Sequence, residues 1–364
     1  MKKKKVLVAM SGGVDSSVTA LLLQEAGYEV IGVTLSIWEE EPTFSSKDYR
    51  GCCSFEAVND AKKVAHQLGV PHYTLNFKEK FKKSVIDYFA QEYLAGRTPN
   101  PCLKCNQIIK FDLLLKKALS LGADYLATGH YAQVKFDKTK KAHLIKEGKD
   151  TLKDQSYVLY MLNQSNLPYL LFPLGELQKQ VVREIAKKKG LHVAGKRESQ
   201  EICFIQENHY GEFLQKYLPE TSKPGPIVNK NGKLLGEHRG VIYYTIGQRK
   251  GLRISSTKPL YVIAIEPSKN TLIVGEEREL FQKKFLANQV NWIFWSKPPT
   301  EFRAQVKIRY KSKKVPVSVK VLGKEEFEVT FDEPQKAIAP GQAAVLYDNE
   351  TVLGGGIIEK VQIY

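Results

Sequence analysis

The sequence predicts a doubly wound α/β domain followed by two β-rich modules, and three observations carry that reading. Apolar runs alternate with helix-period stretches up to about residue 190, which specifies parallel strands joined by crossover helices. Near residue 210 the texture changes: "GPIVNKNGKLLGEHRGVIYYTIGQRKG" holds short alternating strands with Asn-Gly and Gly turns. From about 285 onward "RAQVKIRY", "VPVSVKVLG", "FEVTF" and "AAVLYD" recur at short spacing, as in an all-β barrel. At 364 residues the chain exceeds one ordinary domain, and the expected boundaries are 1–208, 209–280 and 281–364.

In chain order, residues 4–9 read as a buried strand, 16–26 as a helix ended by Gly27, and 29–36 as a second strand. Helix 55–68 stops at Gly69, "PHYTLNF" is a third strand, and helices near 78–95 and 106–120 precede the strand "DYLATG". Residues 154–190 read as helical, with "ELQKQVVREIAKKKG" the clearest amphipathic stretch. Ligands of such sheets bind beyond the carboxyl ends of the strands, so Ser11–Ser17 and Gly129–His130 should face one crevice.

Composition narrows the partners. With 43% hydrophobic residues the chain is globular, and 55 Lys plus Arg against 39 Asp plus Glu leave a net charge of +16. Basic and aromatic residues interleave in "YYTIGQRKGLR" and "KIRYKSKK", which favours nucleic acid over mere solubility. The apolar run after "MKKKK" is too short for a signal-peptide core, and no stretch is long enough to span a membrane, so a cytoplasmic protein is expected. Cys52, Cys53, Cys102, Cys105 and Cys203 are an odd set, which favours thiol chemistry or metal binding over a disulfide framework.

The stretch "SGGVDSS", residues 11–17, lies between a strand and a helix. A glycine-rich turn there aims backbone N–H groups and the positive end of the helix dipole at one point, which makes an anion site. Gly12 and Gly13 permit close approach, and Ser11, Ser16 and Ser17 offer hydroxyls. The lysine of a Walker A loop is absent, as is the dinucleotide fingerprint. Asp15 would repel phosphate unless a cation intervenes, so Mg²⁺ with a pyrophosphate-bearing nucleotide is expected. A tight turn with a serine N-cap would explain Ser16 or Ser17 but not the whole run.

"SGGVDSS" resembles the PP-loop of the ATP pyrophosphatases, the adenine nucleotide alpha hydrolase-like enzymes that cleave ATP between its α- and β-phosphates. The further motifs "GCCS", "RTPNPCLKCNQIIKF", "ATGHYA", "KDQSYVLY", "SQEICF" and "TIGQRKGL" resemble those of the bacterial tRNA-specific 2-thiouridylases, over nearly the whole chain. The resemblance implies that the uridine 2-oxygen of the tRNA wobble base is adenylated and then replaced by sulfur. It further implies ATP contacts at Ala9, Met10, Ser11, Gly12, Gly13, Val14, Asp15, Ser16, Leu35 and Gly129. Contacts to the tRNA anticodon loop are implied at Thr98, Pro99, Asn100, His130, Lys153, Asp154, Gln155, Arg309, Tyr310 and Gln342. Each of these, taken singly, also reads as part of a solvated basic face or, for His130, as a structural histidine.

Exchange of oxygen for sulfur needs a leaving group, which adenylation supplies, and a sulfur nucleophile. By resemblance Cys203 carries the sulfur as a persulfide and Cys105, in a proline-rich loop before a helix, is its partner thiol. A cysteine desulfurase or a sulfur-carrier protein would load it. Many members of the family have aspartate where this chain has Cys102. Cys102, Cys105 and Cys203 could instead hold zinc or a 4Fe-4S cluster, although three ligands leave such a set one short. Cys52 and Cys53 read as a local loop feature. Two rival functions remain at this level: a PP-loop ligase acting on a small metabolite, and a tRNA-binding protein without sulfur chemistry.

Overall fold

The computed structural model describes residues 3–37, 55–197, 202–205, 210–219 and 223–361. Cys52 and Cys53, with the rest of "GCCS", lie outside them. The chain divides into two compact units. The first comprises residues 1–85, 102–207 and 350–352; the second comprises 86–101, 208–349 and 353–364.

The first unit is built on a parallel sheet of β1 (Lys5–Ala9), β2 (Glu29–Ser36), β3 (His72–Asn76), β4 (Tyr125–Ala127) and β7 (Leu170–Leu171), in the order β3-β2-β1-β4-β7. Val6, Leu7 and Val8 are fully buried in central β1, as a strand covered on both faces requires. Helices α1 (Val14–Glu25) and α2 (Phe55–Leu68) follow β1 and precede β3. The order of strands reverses at β1 and β4, which makes the mouth between their carboxyl ends the expected ligand crevice.

Two expectations are corrected here and one hairpin is added. Residues 154–190 are not one helical stretch: short 3-10 turns at Ser156–Leu159, Leu167–Tyr169 and Pro173–Glu176 flank β7, and only Lys179–Lys188 forms an α-helix. Pro168 and Pro173 lack the N–H that a continuing helix needs, so the backbone settles for single turns. A hairpin of β5 (Ala132–Asp137) and β6 (Ala142–Glu147) went unread, its alternation blurred by lysines. The helix expected from 106 starts at Pro101 and runs to 120, with a π-helical middle over Cys105–Leu114, so Cys102 and Cys105 are helical residues and not loop residues. Proline suits the first helical position because its missing N–H would have had no partner there.

The second unit holds a four-stranded sheet and a closed barrel. The sheet has the order β10-β11-β8-β9, with β8 (Gly225–Asn229), β9 (Leu234–His238), β10 (Tyr261–Glu266) and β11 (Thr271–Gly275). The barrel runs β12 (Phe281–Trp292), β15 (Glu326–Lys336), β14 (Val315–Val321), β13 (Glu301–Lys307), β16 (Ala343–Asp348) and β17 (Thr351–Val361). Antiparallel pairing of β12 with β17 closes it, which removes the exposed edges of an open sheet. Phe285, Val317, Val329, Phe331, Leu346 and Ile358 fill its interior.

Phe285 and Phe331 are each 1% exposed, with ring centroids 5.6 Å apart. Phe285→Ala is therefore expected to cost about 3–5 kcal/mol, read as a lower urea midpoint for unfolding of the barrel.

Candidate active site

The turn from β1 into α1 is where the sequence places the anion site. Gly13 is the N-cap of α1 in extended backbone, φ −99° and ψ 166°, and no side chain caps the helix. The serine-cap reading is thereby excluded: Ser16 Oγ and Ser17 Oγ both donate back to the Gly13 carbonyl, at 3.2 and 2.9 Å, and both residues are buried. The first-turn N–H groups thus keep their orientation toward the crevice while the hydroxyls brace the turn. Gly12 alone needs left-handed backbone, φ +67°, and a Cβ there would collide with the Ala57 carbonyl of α2.

Of the other expected nucleotide contacts, Met10 is buried and its N–H donates to the Val33 carbonyl at 2.7 Å. Thr34 Oγ1 donates to the Met10 carbonyl at 2.8 Å, so β2 fixes the strand end from which the loop departs. Ala9 and Leu35 are half-buried at the carboxyl ends of β1 and β2, and Ser11 is exposed at the rim. Gly129, just past β4, lies against the loop: a Cβ there would stand 3.0 Å from the Ser16 nitrogen.

Two lysines that sequence reasoning passed over reach this loop. Lys179, 7% exposed, donates to both Asp15 carboxylate oxygens at 2.6 and 2.7 Å, and the Tyr131 hydroxyl donates to Asp15 Oδ1 at 2.7 Å. Lys179 thus places a positive charge of the chain's own beside Asp15. Lys196 donates to the Gly12 carbonyl at 3.0 Å and to Asp60 Oδ2 at 2.6 Å, while His192 Nε2 is 3.1 Å from Asp60 Oδ1. Burial tends to raise the Asp60 carboxyl, but these hydrogen bonds hold it below its ordinary value. A signal for Lys179 exists: it occupies the stripe of Val182 and Ala186, both fully buried, where a lysine is out of place on an amphipathic helix.

Cys102, exposed, and Cys105, half-buried, stand one helical turn apart in the 101–120 run; Cys203 is half-buried, and none of the three is in a disulfide. Asn106 Nδ2 ties this run to the Val158 carbonyl at 3.2 Å. Cys203 sits in a turn closed by the Ile205 N–H on the Ile202 carbonyl at 3.0 Å. Phe204, 5% exposed, packs edge-on against Phe81 at 5.7 Å and anchors that turn. Among the described residues, no three His, Cys, Asp or Glu side chains converge to hold a metal ion.

The residues expected to meet RNA fall into two groups. In the first unit, His130 is buried between Phe111 and Phe172, with Nδ1 2.6 Å from Thr128 Oγ1. Asp154, also buried, accepts from the Gly148 and Ser156 N–H groups and from Ser156 Oγ, and Gln155 Oε1 accepts from the Tyr131 N–H. Lys153, half-buried, precedes them in the same turn. In the second unit, Gln342 Nε2 donates to the Thr98 carbonyl at 2.7 Å and the Thr98 N–H donates to the Pro340 carbonyl at 2.8 Å. The distant "TPN" and "PGQ" segments thus form one surface element, with Pro99 buried and Asn100 half-buried. Arg309 donates to the Ala337 carbonyl, and Tyr310 is half-buried beside it in sequence.

Comparison with known proteins matches all three parts of this chain. Family models described as a tRNA methyl transferase HUP domain, a tRNA methyl transferase PRC-barrel domain and an aminomethyltransferase β-barrel domain match residues 4–207, 211–276 and 282–358. A tRNA-specific 2-thiouridylase of Carboxydothermus hydrogenoformans is 54% identical over 358 residues, 98% of each chain. The chain belongs to the tRNA-specific 2-thiouridylase family. Relatives with the same description from Acetivibrio thermocellus and Clostridioides difficile are 49% and 48% identical, over 99% and 98% of this chain and 100% and 98% of theirs. The 2-thiouridylase resemblance drawn from the motifs is thus shown, as is the parallel-sheet, central-module and barrel architecture.

In this member of the 2-thiouridylase family, His130 carries a testable signature. Burial holds its imidazole well below the ordinary value of 6.5, with Lys110 adding to the effect, and burial likewise lowers His72 and His238. Below about 6.5 the unfolded chain binds protons that the folded chain refuses, so stability falls as pH drops through that value. Urea midpoints measured across this window should decline on acidification, and His130→Phe should flatten the slope.

Proposed function

We propose that this protein is an ATP-dependent sulfurtransferase that converts the wobble uridine of tRNA to 2-thiouridine. The full-length identity of about half to relatives of that description carries the reading, and the uncapped loop supports its ATP half. Ala9 to Ser16, Leu35 and Gly129 surround the nucleotide in this proposal. The helix dipole and first-turn N–H groups stabilise charge on the departing pyrophosphate, the kind of preorganised electrostatic effect that dominates many enzymic rate enhancements. Mg²⁺, which takes one or two carboxylates along with phosphate oxygens, would share the Asp15 carboxylate with Lys179, which donates to both its oxygens. When bound it would offset phosphate charge.

In the sulfur half, a cysteine desulfurase or a sulfur-carrier protein loads Cys203 as a persulfide. The terminal sulfur attacks C2 of the adenylated uridine, the C2–O bond breaks and AMP leaves. The Cys105 thiolate then attacks Cys203 Sγ, the bond from Sγ to the transferred sulfur breaks, and 2-thiouridine departs as a Cys105–Cys203 disulfide forms.

For tRNA we assign Thr98, Pro99, Asn100 and Gln342 as one contact element. Arg309, Tyr310 and Lys153 are phosphate-side contacts, and His130, Asp154 and Gln155 hold the walls of the site from beneath. A charge of +16 suits a polyanionic substrate. Regions 1–208, 209–280 and 281–364 divide into chemistry, a central module and a tRNA-contacting barrel, in a cytoplasmic enzyme. No helix among the described residues is long and apolar enough to cross a membrane.

The reading is tested by mass spectrometry of nucleosides from unmodified tRNA incubated with the protein, ATP, Mg²⁺, cysteine and a desulfurase. Wild type should form 2-thiouridine and Cys203→Ala should not; product from both, or from neither, would refute it. In the same assay Lys179→Met should lower kcat/KM for ATP by about 10²-fold, whereas a purely structural lysine would lower the urea midpoint and leave kcat/KM unchanged.

A further inference from the structure

The persulfide cycle ends with Cys203 locked in a disulfide, and the next round requires its thiol back. Phe204 and Ile205 are 5% and 7% exposed, so the turn that carries Cys203 is anchored by its own neighbours. Cys105 and Cys203 are both half-buried, whereas Cys102 is exposed. A soluble reductant reaches an exposed thiol far more readily than a covered disulfide.

Cys102 and Cys105 are three residues apart within one continuous helical run. That spacing puts the Cβ atoms about 5–6 Å apart, against about 3.5–4.5 Å across a disulfide, so the first turn of the run must tighten by about 1–2 Å for the bridge to close. Pro101 starts the run, so Cys102 lies in its first turn, where the positive end of the helix dipole favours thiolate over thiol.

We propose that Cys102 is the resolving thiol of the cycle, a role that rests on the persulfide reading above. The Cys102 thiolate attacks Cys105 Sγ of the Cys105–Cys203 disulfide. The Sγ–Sγ bond to Cys203 breaks, Cys203 leaves as thiolate, and a Cys102–Cys105 disulfide forms. Two electrons remain owing, and an external dithiol reductant delivers them to the exposed Cys102–Cys105 bond while Cys203 is already open to a new sulfur.

The test uses the full chain, loaded with persulfide by a desulfurase and cysteine and then freed of both. ATP, Mg²⁺ and unmodified tRNA are added without reductant, the mixture is quenched with an alkylating agent, and disulfides are mapped by peptide mass spectrometry. Wild type should show the Cys102–Cys105 bridge with Cys203 alkylated; Cys102→Ser should show the Cys105–Cys203 bridge. In a separate arm with a dithiol, cysteine and the desulfurase all present, Cys102→Ser should make one product per enzyme and then stop, while wild type turns over repeatedly. A Cys105–Cys203 bridge that persists in wild type overturns the proposal while leaving the persulfide reading intact. Product formation by Cys203→Ala overturns both. Iron and acid-labile sulfide present in anaerobically purified wild type and lost in Cys102→Ser would make Cys102 a ligand, and would also overturn it. The wild-type map alone decides the matter should the variant fold poorly.

Discussion

The ion pair between Asp15 and Lys179 is the contact on which the nucleotide end of the first unit depends. A carboxylate in the first turn of a helix is favourable to the helix dipole but hostile to an incoming phosphate. Lys179 resolves the conflict by contributing a positive charge that is itself nearly enclosed, 7% exposed, and held over the Tyr131 ring at 5.6 Å. Breaking such a pair leaves a carboxylate without its counter-charge, so the helix Lys179–Lys188 is fixed to α1 by electrostatics as well as by Val182 and Ala186. Lys196 repeats the device on the opposite side of the turn, holding the Gly12 carbonyl and Asp60 together.

Around that point the turn is braced by its own hydroxyls and the helix starts without a side-chain cap. Ser16 and Ser17 direct their hydroxyls to the Gly13 carbonyl, so neither caps the helix. Gly129, just past β4, packs so closely that a Cβ would stand 3.0 Å from the Asp15 carbonyl carbon and the Ser16 nitrogen. The thiols are held with similar economy. The helical run that bears Cys102 and Cys105 is tied through Asn106 to Val158, and the Cys203 turn through Phe204 to Phe81.

Much of this was legible in the sequence. Strand 29–36 and helix 55–68 match residue for residue, because unbroken apolar runs and Gly stops mark them cleanly. The loop was legible because glycine and serine at that spacing have few other uses. What escaped was long-range or irregular. Lys179 lies 164 residues from Asp15, and no local pattern announces the pairing, although a lysine on an apolar stripe was a clue. Residues 154–176 kept helical periodicity while two prolines broke the hydrogen bonding. Strands β12 and β17, which close the barrel, carry bulges that blur their alternation. The union of Thr98 with Gln342 depends on tertiary placement alone.

The claim at the centre of this account is that the loop of Ser11 to Ser17 activates the uridine 2-oxygen by transferring AMP to it. Its most direct measurement is isotopic: tRNA carrying ¹⁸O at C2 of the wobble uridine is incubated with the loaded enzyme and ATP, and the nucleotide products are weighed by mass spectrometry. The account predicts AMP bearing the heavy oxygen, together with pyrophosphate. Formation of ADP and phosphate, or of AMP without the label, would contradict it.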